Sequence, residues 1–275
     1  DLVQFLNIQP LIQKPKNPII LDPIKTPEII FENVTFAYPG SETPVLKGIN
    51  LKIPSGEKIA LIGINGAGKT TLVKLLCRFY DPTEGRILIG GHDLRDINIQ
   101  SWYQNLGILF QDYSNYHFKI KEGVAFGRSS IPEDIERVKA ATQASQAETF
   151  ISEWKDGYDQ MLGKEFTGGI EPSIGQWQKL ALARIFYRDP RVLILDEPTS
   201  SIDAEAEAQI FEKLEQSSND HTVILISHRF STVRNAHQIC VIENGQINER
   251  GTHEALLALN KTYARLFHLQ AKGYR

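Results

Sequence analysis

Short apolar runs bounded by turn residues alternate along this chain with longer segments whose apolar positions recur every three or four residues. The apolar runs predict buried strands at residues 29–38, 45–53, 57–62, 86–91, 107–110, 192–195, 222–226 and 239–242. The helical spacing predicts helices within residues 72–79, 132–145, 147–154, 174–188 and 253–270. This alternation is typical of an α/β fold, and the mostly helical residues 95–187 are expected to form a lobe inserted into it.

The first 27 residues contain five prolines and little periodicity, so we expect a linker there, with the last turn of a preceding helix at residues 1–7. The chain begins with Asp1, and its one methionine is Met161, which suggests a piece of a longer protein. No apolar run in the sequence approaches the roughly 18–20 residues that a membrane-spanning helix needs.

Composition narrows the class of protein only slightly. Hydrophobic residues make up 41% and charged residues 23% of the chain, as in ordinary soluble globular domains. The formal net charge of −3 disfavours a nucleic-acid partner. Cys77 and Cys240 both lie within apolar stretches, so we expect two buried thiols in a reducing compartment.

Residues 63–70 match the phosphate-binding pattern G-x-x-x-x-G-K-[ST] at each fixed position. Glycines let backbone N–H groups turn inward around an anion. Lys69 supplies a positive charge for the β- and γ-phosphates, and the hydroxyl of Thr70 can bind Mg²⁺. A predicted strand precedes this loop and a predicted helix follows it, which directs a helix N-terminus at phosphate. The sequence therefore predicts a nucleoside-triphosphate site.

Three other predicted strands end beside polar residues suited to phosphate chemistry. Asp196 and Glu197 follow one of them, at the edge where parallel sheets place ligand-binding groups. Asp196 is suited to hold Mg²⁺ together with Thr70, and Glu197 to polarise a water. His228 can orient that water or donate to the γ-phosphate, and Gln111 can reach Mg²⁺ or the water. Taken singly, the histidine and the glutamine can also be ordinary polar residues at strand ends.

Ser173 and Gln176 have the spacing of a capping box at the start of the helical segment 174–188. A helix needs such a cap for its own stability, so the pattern is explained without any ligand. The alternative is that this helix N-terminus is a second anion site. In that case it would act on the nucleotide of a partner chain.

These pieces, in this order, resemble the nucleotide-binding domain of ATP-binding-cassette transporters, with similarity over residues 30–269. The resemblance implies a RecA-like P-loop NTPase core, of the α/β class, with an antiparallel β subdomain and an inserted α-helical subdomain. This domain would occupy residues 28–275. The resemblance also implies ATP and Mg²⁺ as cofactors, with Glu197, His228 and Gln111 as catalytic residues.

The remaining site residues follow from the same resemblance. Tyr38, which precedes a Pro-Gly pair, matches the aromatic residue that stacks on adenine, although a strand-edge aromatic is the simpler explanation without the family. Residues 200–203 match the D-loop. The implied magnesium ligands are Thr70, Gln111 and Asp196. The implied nucleotide contacts are Tyr38, Gly63, Asn65, Gly66, Ala67, Gly68, Lys69, Thr70, Thr71, Ser173, Gly175, Gln176 and Asp203.

Residues 162–169 resemble the exporter segment that contacts the intracellular loops of the membrane domain. The resemblance to exporters implies two partners: a transmembrane domain in the same polypeptide and a second nucleotide-binding domain, in a homodimer or a heterodimer. It implies a location at the cytoplasmic face of a membrane. A soluble ATPase of the same family, without a membrane domain, is the alternative, and no nucleic-acid partner is expected.

The family's signature, Leu-Ser-Gly-Gly-Gln, reads Pro-Ser-Ile-Gly-Gln at residues 172–176. Ile174 adds bulk where a partner's γ-phosphate should approach. If its backbone is helical and its side chain turns away, N–H donation and hydrolysis survive. Otherwise the site is weakened by about 1–3 kcal/mol. We expect a working ATPase, and a weakly active regulatory cassette of a heterodimer is the alternative that Ile174 supports.

Overall fold

The computed structural model describes residues 10–199, 201–216 and 221–273 of the chain. The chain divides into two compact units, a first unit of Asp1–Ser55, Leu61–Asn105 and Ile239–Arg275 and a second unit of Gly56–Ala60 and Leu106–Gln238. Among the described residues the strands are β1 (Ile29–Phe36), β2 (Leu46–Ile53), β3 (Lys58–Ile62), β4 (Glu84–Ile89), β5 (His92–Asp93), β6 (Leu106–Leu109), β7 (Val192–Asp196), β8 (Thr222–Ile226), β9 (Gln238–Glu243) and β10 (Gln246–Gly251). The α-helices are α1 (Lys69–Leu76), α2 (Ile99–Asn105), α3 (Ile120–Ala125), α4 (Ile135–Ala144), α5 (Glu148–Ile151), α6 (Ile174–Arg188), α7 (Ala204–Gln216), α8 (Phe230–Val233), α9 (His253–Leu259) and α10 (Thr262–Gly273).

The first unit contains an antiparallel sheet with the strand order β2-β1-β4-β5. The predicted strands are present, although β1 ends two residues earlier than the sequence indicated. The β1–β2 register shifts between Phe31 and Val34, and Asn33 lies there with a left-handed φ of 49°. Because this bulge adds a residue, Phe31 and Val34 both face the core, at 1% and 0% exposure.

Helix α1 begins at Lys69, within the last two residues of the glycine-loop pattern, and ends at Leu76. The prediction that Phe79 belongs to its apolar face is wrong, since Phe79 is 47% exposed. Arg78 takes a φ of 54°, which turns the chain out of the helix before Phe79. The buried Trp102 donates from Nε1 to the carbonyl of Leu76 at 2.8 Å, which satisfies an acceptor that the helix end leaves open.

The second unit contains three parallel strands in the order β8-β7-β6, in register from one end to the other. Every position of β7 and β8 is buried, which is why these segments are continuous apolar runs rather than alternating ones. Asp196 is the last residue of β7 and lies opposite Ile226 of β8. The predicted strands at 192–195 and 222–226 are therefore confirmed.

Helices α3 to α6 of the second unit share one apolar cluster. Its buried members are Ile120, Val124, Val138, Ala141, Ala147, Phe150, Ile151, Leu162, Trp177, Leu180, Ala183 and Tyr187. Helix α4 begins three residues after the predicted start at Pro132, because Asp134 is its N-cap and accepts from the backbone N–H groups of Glu136 and Arg137. Helix α5 is shorter than predicted, whereas α6 has the predicted bounds.

The C-terminal segment of the first unit differs from the prediction of one helix over 253–270. Asn260 takes the left-handed conformation, with φ 50° and ψ 40°, and ends α9 before α10 begins. Asparagine tolerates that conformation better than other non-glycine residues. The predicted hairpin between β9 and β10 is confirmed, with Asn244 and Gly245 at φ values of 51° and 80°, as a type I′ turn requires.

Residues 1–9 of the predicted linker, including the expected helical turn, lie outside the described residues. Residues 10–27 contain one isolated bridge, from Ile19 to Ile97, and Arg78 donates to the carbonyl of Gln13 at 3.0 Å. The linker and the helical lobe at 95–187 stay predictions, and this predicted lobe includes α2 of the first unit and β6 of the parallel sheet. None of the described helices combines the length and the apolar character needed to cross a bilayer.

Candidate functional site

The glycine loop of the first unit joins β3 to α1, as the sequence predicted. Lys69 is only 7% exposed, and its ammonium group donates to the carbonyls of Gly63 at 2.7 Å and Ile64 at 3.1 Å. Asn65, Gly66 and Thr70 are exposed, whereas Ala67 is buried. The loop therefore holds its lysine in place through its own backbone, and Thr70, the next residue, is exposed.

Gly68 is the N-cap of α1 and takes a φ of 110°, which residues with a side chain rarely adopt. A Cβ at this position would lie 2.7 Å from Leu46 Cδ2 of β2. The backbone conformation therefore favours glycine, and a side chain at this position would in addition have to displace the end of the Leu46 side chain. The N-cap Gly68 makes no side-chain cap bond to α1, and a helix N-terminus preceded by a glycine loop is suited to bind an anion.

Tyr38 lies in a small aromatic cluster beside the loop. Its ring meets Phe36 edge-on at 5.0 Å and Tyr80 edge-on at 5.3 Å between centroids. The Tyr38 hydroxyl and Thr71 Oγ1 are hydrogen-bonded at 3.0 Å, and Lys74 Nζ lies 5.7 Å from the ring centre. These contacts orient the ring, and adenine stacking on Tyr38 stays a prediction. Tyr80 and Lys74 were missed by the sequence reading, although Lys74 follows Thr71 at the three-residue helical spacing that puts both on one face.

In the second unit, Glu197 and His228 meet at the carboxyl ends of β7 and β8. Glu197 Oε1 lies 3.3 Å from His228 Nε2. Glu197 takes a left-handed φ of 49°, and its N–H donates to the carbonyl of Ile226 at 2.8 Å. Asp196, one residue earlier, is 6% exposed. The two side chains that the sequence placed at one sheet edge are thus in contact.

The N-terminus of α6 has the predicted capping box. Gln176 N donates to Ser173 Oγ at 3.3 Å, and Ser173 N donates to Gln176 Oε1 at 2.9 Å. Ile174 is the first helical residue, and its side chain is 71% exposed. The backbone of Ile174 is therefore helical, as N–H donation requires, and the effect of its exposed side chain on a partner's nucleotide stays a prediction. Tyr113 donates its hydroxyl to the Ile174 carbonyl at 3.1 Å, whereas Gln111 lies exposed in the turn after β6.

Helix α6 also contacts the loop that follows β7. A Cβ on Gly175 would lie 2.6 Å from the carbonyl oxygen of Ser201, so only glycine allows this approach. Gln178, which is 2% exposed, donates from Nε2 to the carbonyl of Glu197 at 3.2 Å and accepts at Oε1 from Ser201 N at 3.0 Å. The sequence reading missed Gln178, although its position three residues after Gly175 puts both on one helix face.

Asp203 begins α7. Its Oδ1 accepts from the backbone N–H of Ala206 at 2.9 Å, and this bond lowers the pKa of the Asp203 carboxyl, with a smaller contribution from Lys179. Asp203 is thus an ordinary helix N-cap here, and its contact with a partner's nucleotide stays a prediction. Ser200, the first residue of the predicted D-loop, lies outside the described residues.

A glycine loop between a buried strand and a helix, together with a carboxylate pair at the end of a parallel strand, defines the class of P-loop nucleoside triphosphatases. The family model described as ABC transporter matches residues 46–200, more than half of the chain. The chain belongs to this family, the ATP-binding-cassette transporters; it binds ATP and is an ATPase. The predicted family, fold class and enzyme class are therefore confirmed.

Relatives of the chain are exporters with an ATP-binding part. A Staphylococcus aureus protein, provisionally named a multidrug export ATP-binding/permease protein, is 41% identical over 93% of this chain and 44% of its own length. The ATP-dependent lipid A-core flippase of Salmonella paratyphi A is 40% identical over 89% of this chain and 41% of its own length. A solved structure of a bacterial Atm1-family ABC exporter with ATP bound matches 98% of this chain and 46% of its own, with a TM-score of 0.89 and 32% identity. The chain spans less than half the length of these relatives.

Proposed function

We propose that this chain is the motor domain of an exporter, in which ATP binding and hydrolysis drive transport of a substrate across a membrane. The observation that carries the chemistry is the contact of Glu197 Oε1 with His228 Nε2 at 3.3 Å, at the end of a buried parallel strand. The names of the similar proteins, a multidrug export protein and a lipid A-core flippase, support export rather than another use of the hydrolysis.

Glu197 acts as the general base in this proposal. Its carboxylate accepts a proton from the attacking water, the water oxygen bonds to the γ-phosphorus, and the bond to the β-phosphate oxygen breaks to leave ADP. His228 Nε2 fixes the orientation of the carboxylate. Lys69 neutralises charge on the β- and γ-phosphates.

The side chains predicted to hold Mg²⁺ are chemically suited to it. Asp196, a buried residue, offers a carboxylate and Thr70, an exposed residue, offers a hydroxyl, and Mg²⁺ prefers such oxygen ligands. Gln111 offers an amide oxygen. When bound, Mg²⁺ would neutralise phosphate charge as the γ-phosphoryl group leaves.

The proposed function also requires two partners, a second cassette and a transmembrane domain. Two cassettes, identical or different, pair head-to-tail, so that Ser173, Gly175 and Gln176 of one contact the nucleotide of the other. The helical backbone at Ile174 supports a cassette with working N–H donors. A transmembrane domain, in the same polypeptide or beside it, transmits the opening and closing, and the cassettes act at the cytoplasmic face of its membrane.

Replacement of Glu197 by Gln tests the assignment. The amide cannot take the proton, so we expect turnover to fall by roughly 10²–10⁴-fold while the Kd for ATP changes by less than about threefold. Glu212→Gln, the same change at an exposed position of α7, is the matched control and should leave both values unchanged. Turnover that survives in Glu197→Gln would refute the role of Glu197.

Pairing is tested with the same blocked variant in the full-length protein. Saturating Mg-ATP should hold two cassettes together, because only the paired state satisfies both phosphate sites. Cross-linking or light scattering measures the pairing, with ADP as the control. A blocked protein that stays unpaired in saturating Mg-ATP would contradict the head-to-tail proposal.

A further inference from the structure

One buried carboxylate of the second unit lies outside the residues that the proposed chemistry uses. Glu207, on α7, is 6% exposed. Its Oε1 accepts from Thr199 Oγ1 at 2.8 Å, and its Oε2 accepts from Arg229 Nη1 at 2.6 Å. Thr199 is itself 2% exposed. Both oxygens of the carboxylate are therefore occupied, one by a neutral donor and one by a charged donor.

The two donors come from the loops that carry the catalytic pair. Thr199 is two residues after Glu197, and Arg229 directly follows His228. Glu207 thus connects, through a single side chain, the loop after β7 with the loop after β8. Its own backbone lies within the 13-residue helix α7, which provides a more rigid base than either loop.

The backbone of Arg229 is held as closely as its side chain. Its N–H donates to Ser227 Oγ at 3.0 Å, and its carbonyl accepts from Thr232 Oγ1 at 2.8 Å. Ser227 and Thr232 are each 5% exposed. Arg229 is therefore fixed on both sides, its backbone by Ser227 and Thr232 and its guanidinium group by Glu207, and the peptide that joins it to His228 is part of this bonded segment.

We propose that Glu207 is a positioning residue for ATP hydrolysis, which holds the loop of His228 against the loop of Glu197 so that the two side chains meet. This inference rests on the proposed function of Glu197 and His228. A gain in fold stability does not by itself explain the buried Glu207–Arg229 pair, because such a pair is often no more stabilising than apolar residues of the same volume. A shift of about 1 Å at a catalytic group, in contrast, costs roughly 100-fold in rate.

The cleanest perturbation is the pair Thr199→Val and Thr199→Ser. Valine has the shape of threonine and removes only the hydroxyl donor, whereas serine keeps that donor. We expect kcat to fall about 3–10-fold in Thr199→Val and to stay within about twofold of the unmodified protein in Thr199→Ser. Glu207→Gln, which removes the charge that holds Arg229, should lower kcat about 10–100-fold.

Comparing the effect of each variant on kcat with its effect on KM distinguishes a positioning role from a general loss of stability. The KM for ATP should stay within about twofold in each variant, since neither Thr199 nor Glu207 is among the predicted nucleotide contacts. Glu32→Gln breaks an exposed ion pair of the same length, 2.6 Å to Arg86, and should change neither kcat nor KM. Turnover is measured on the full-length protein well below its Tm, alongside Glu197→Gln.

Each outcome decides one of the two proposals. Full turnover in Glu197→Gln refutes the proposed role of Glu197 as the general base and the role of Glu207 with it. Loss of turnover in Glu197→Gln with normal kcat in both Glu207→Gln and Thr199→Val refutes the positioning role alone. A rise in KM equal to the fall in kcat, with equal effects of Thr199→Val and Thr199→Ser, also refutes it. If Glu207→Gln does not fold, the Thr199 pair decides the question.

Discussion

Gln178 provides the most direct test of how α6 holds the loop after β7. The change Gln178→Met keeps an unbranched side chain of similar length and volume, so the buried packing is largely retained. It removes the amide that donates to the Glu197 carbonyl and the oxygen that accepts from Ser201 N. The perturbation is therefore the loss of two hydrogen bonds to one loop.

The magnitude follows from the burial of the partners. Each hydrogen bond contributes about 1 kcal/mol net, and a buried group left without a partner costs about 1–3 kcal/mol. Ser201 is exposed, so water can replace its lost partner, and the Glu197 carbonyl accounts for most of the cost. We expect the free energy of unfolding to fall by about 2 kcal/mol, which lowers Tm by roughly 4–8 °C.

The kcat for ATP hydrolysis should fall as well, because Glu197 loses one of the hydrogen bonds that orient its backbone. If about half of the roughly 2 kcal/mol also raises the activation free energy of ATP hydrolysis, kcat falls about fivefold. Differential scanning calorimetry and steady-state ATPase assays measure the two effects. Gln143→Met, the same change at an exposed position of α4, is the control. A Gln178→Met protein with the Tm and kcat of the unmodified one would refute the reasoning.

Three further expectations follow from single residues. Ile174→Gly should change ATPase turnover by less than about threefold, because the backbone at Ile174 is already helical and presents the same N–H donor as glycine would. A gain above about tenfold would favour the weakly active regulatory cassette. Burial raises the pKa of Cys77 and Cys240 to about 12, while an unfolded thiol titrates near 8.5. Native protein should therefore resist iodoacetamide at pH 8. The free energy of unfolding should also fall above about pH 9, because unfolded thiols lose their protons there while the buried thiols of the folded protein keep theirs. Rapid labelling of native protein would contradict the burial. Asn260→Ala should cost about 1 kcal/mol in urea unfolding, and Asn260→Gly close to nothing, since only the alanine is strained at φ 50°; equal stabilities would contradict the left-handed cap.

Many of the elements and site residues of this protein could be predicted from the sequence alone, because the patterns that indicate them are local. The glycine loop, the capping box at Ser173 and the continuous apolar runs of β7 and β8 each depend on residues a few positions apart. Local sterics, hydrogen bonds and two-sided burial act on such segments wherever they lie. The strand ends also indicated that Glu197 and His228 share a sheet edge, since parallel strands align their carboxyl ends.

Only the tertiary structure showed which residues hold the segments that carry Glu197 and His228. Gln178 reaches partners 19 and 23 positions away in sequence, and Glu207 reaches Arg229 at a separation of 22. A glutamine and a glutamate within amphipathic helices give no local sign of such partners. The break at Asn260 likewise depended on a left-handed backbone that asparagine permits but does not require. Contacts between distant segments form only when the chain packs, so periodicity and motif spacing carry no record of them.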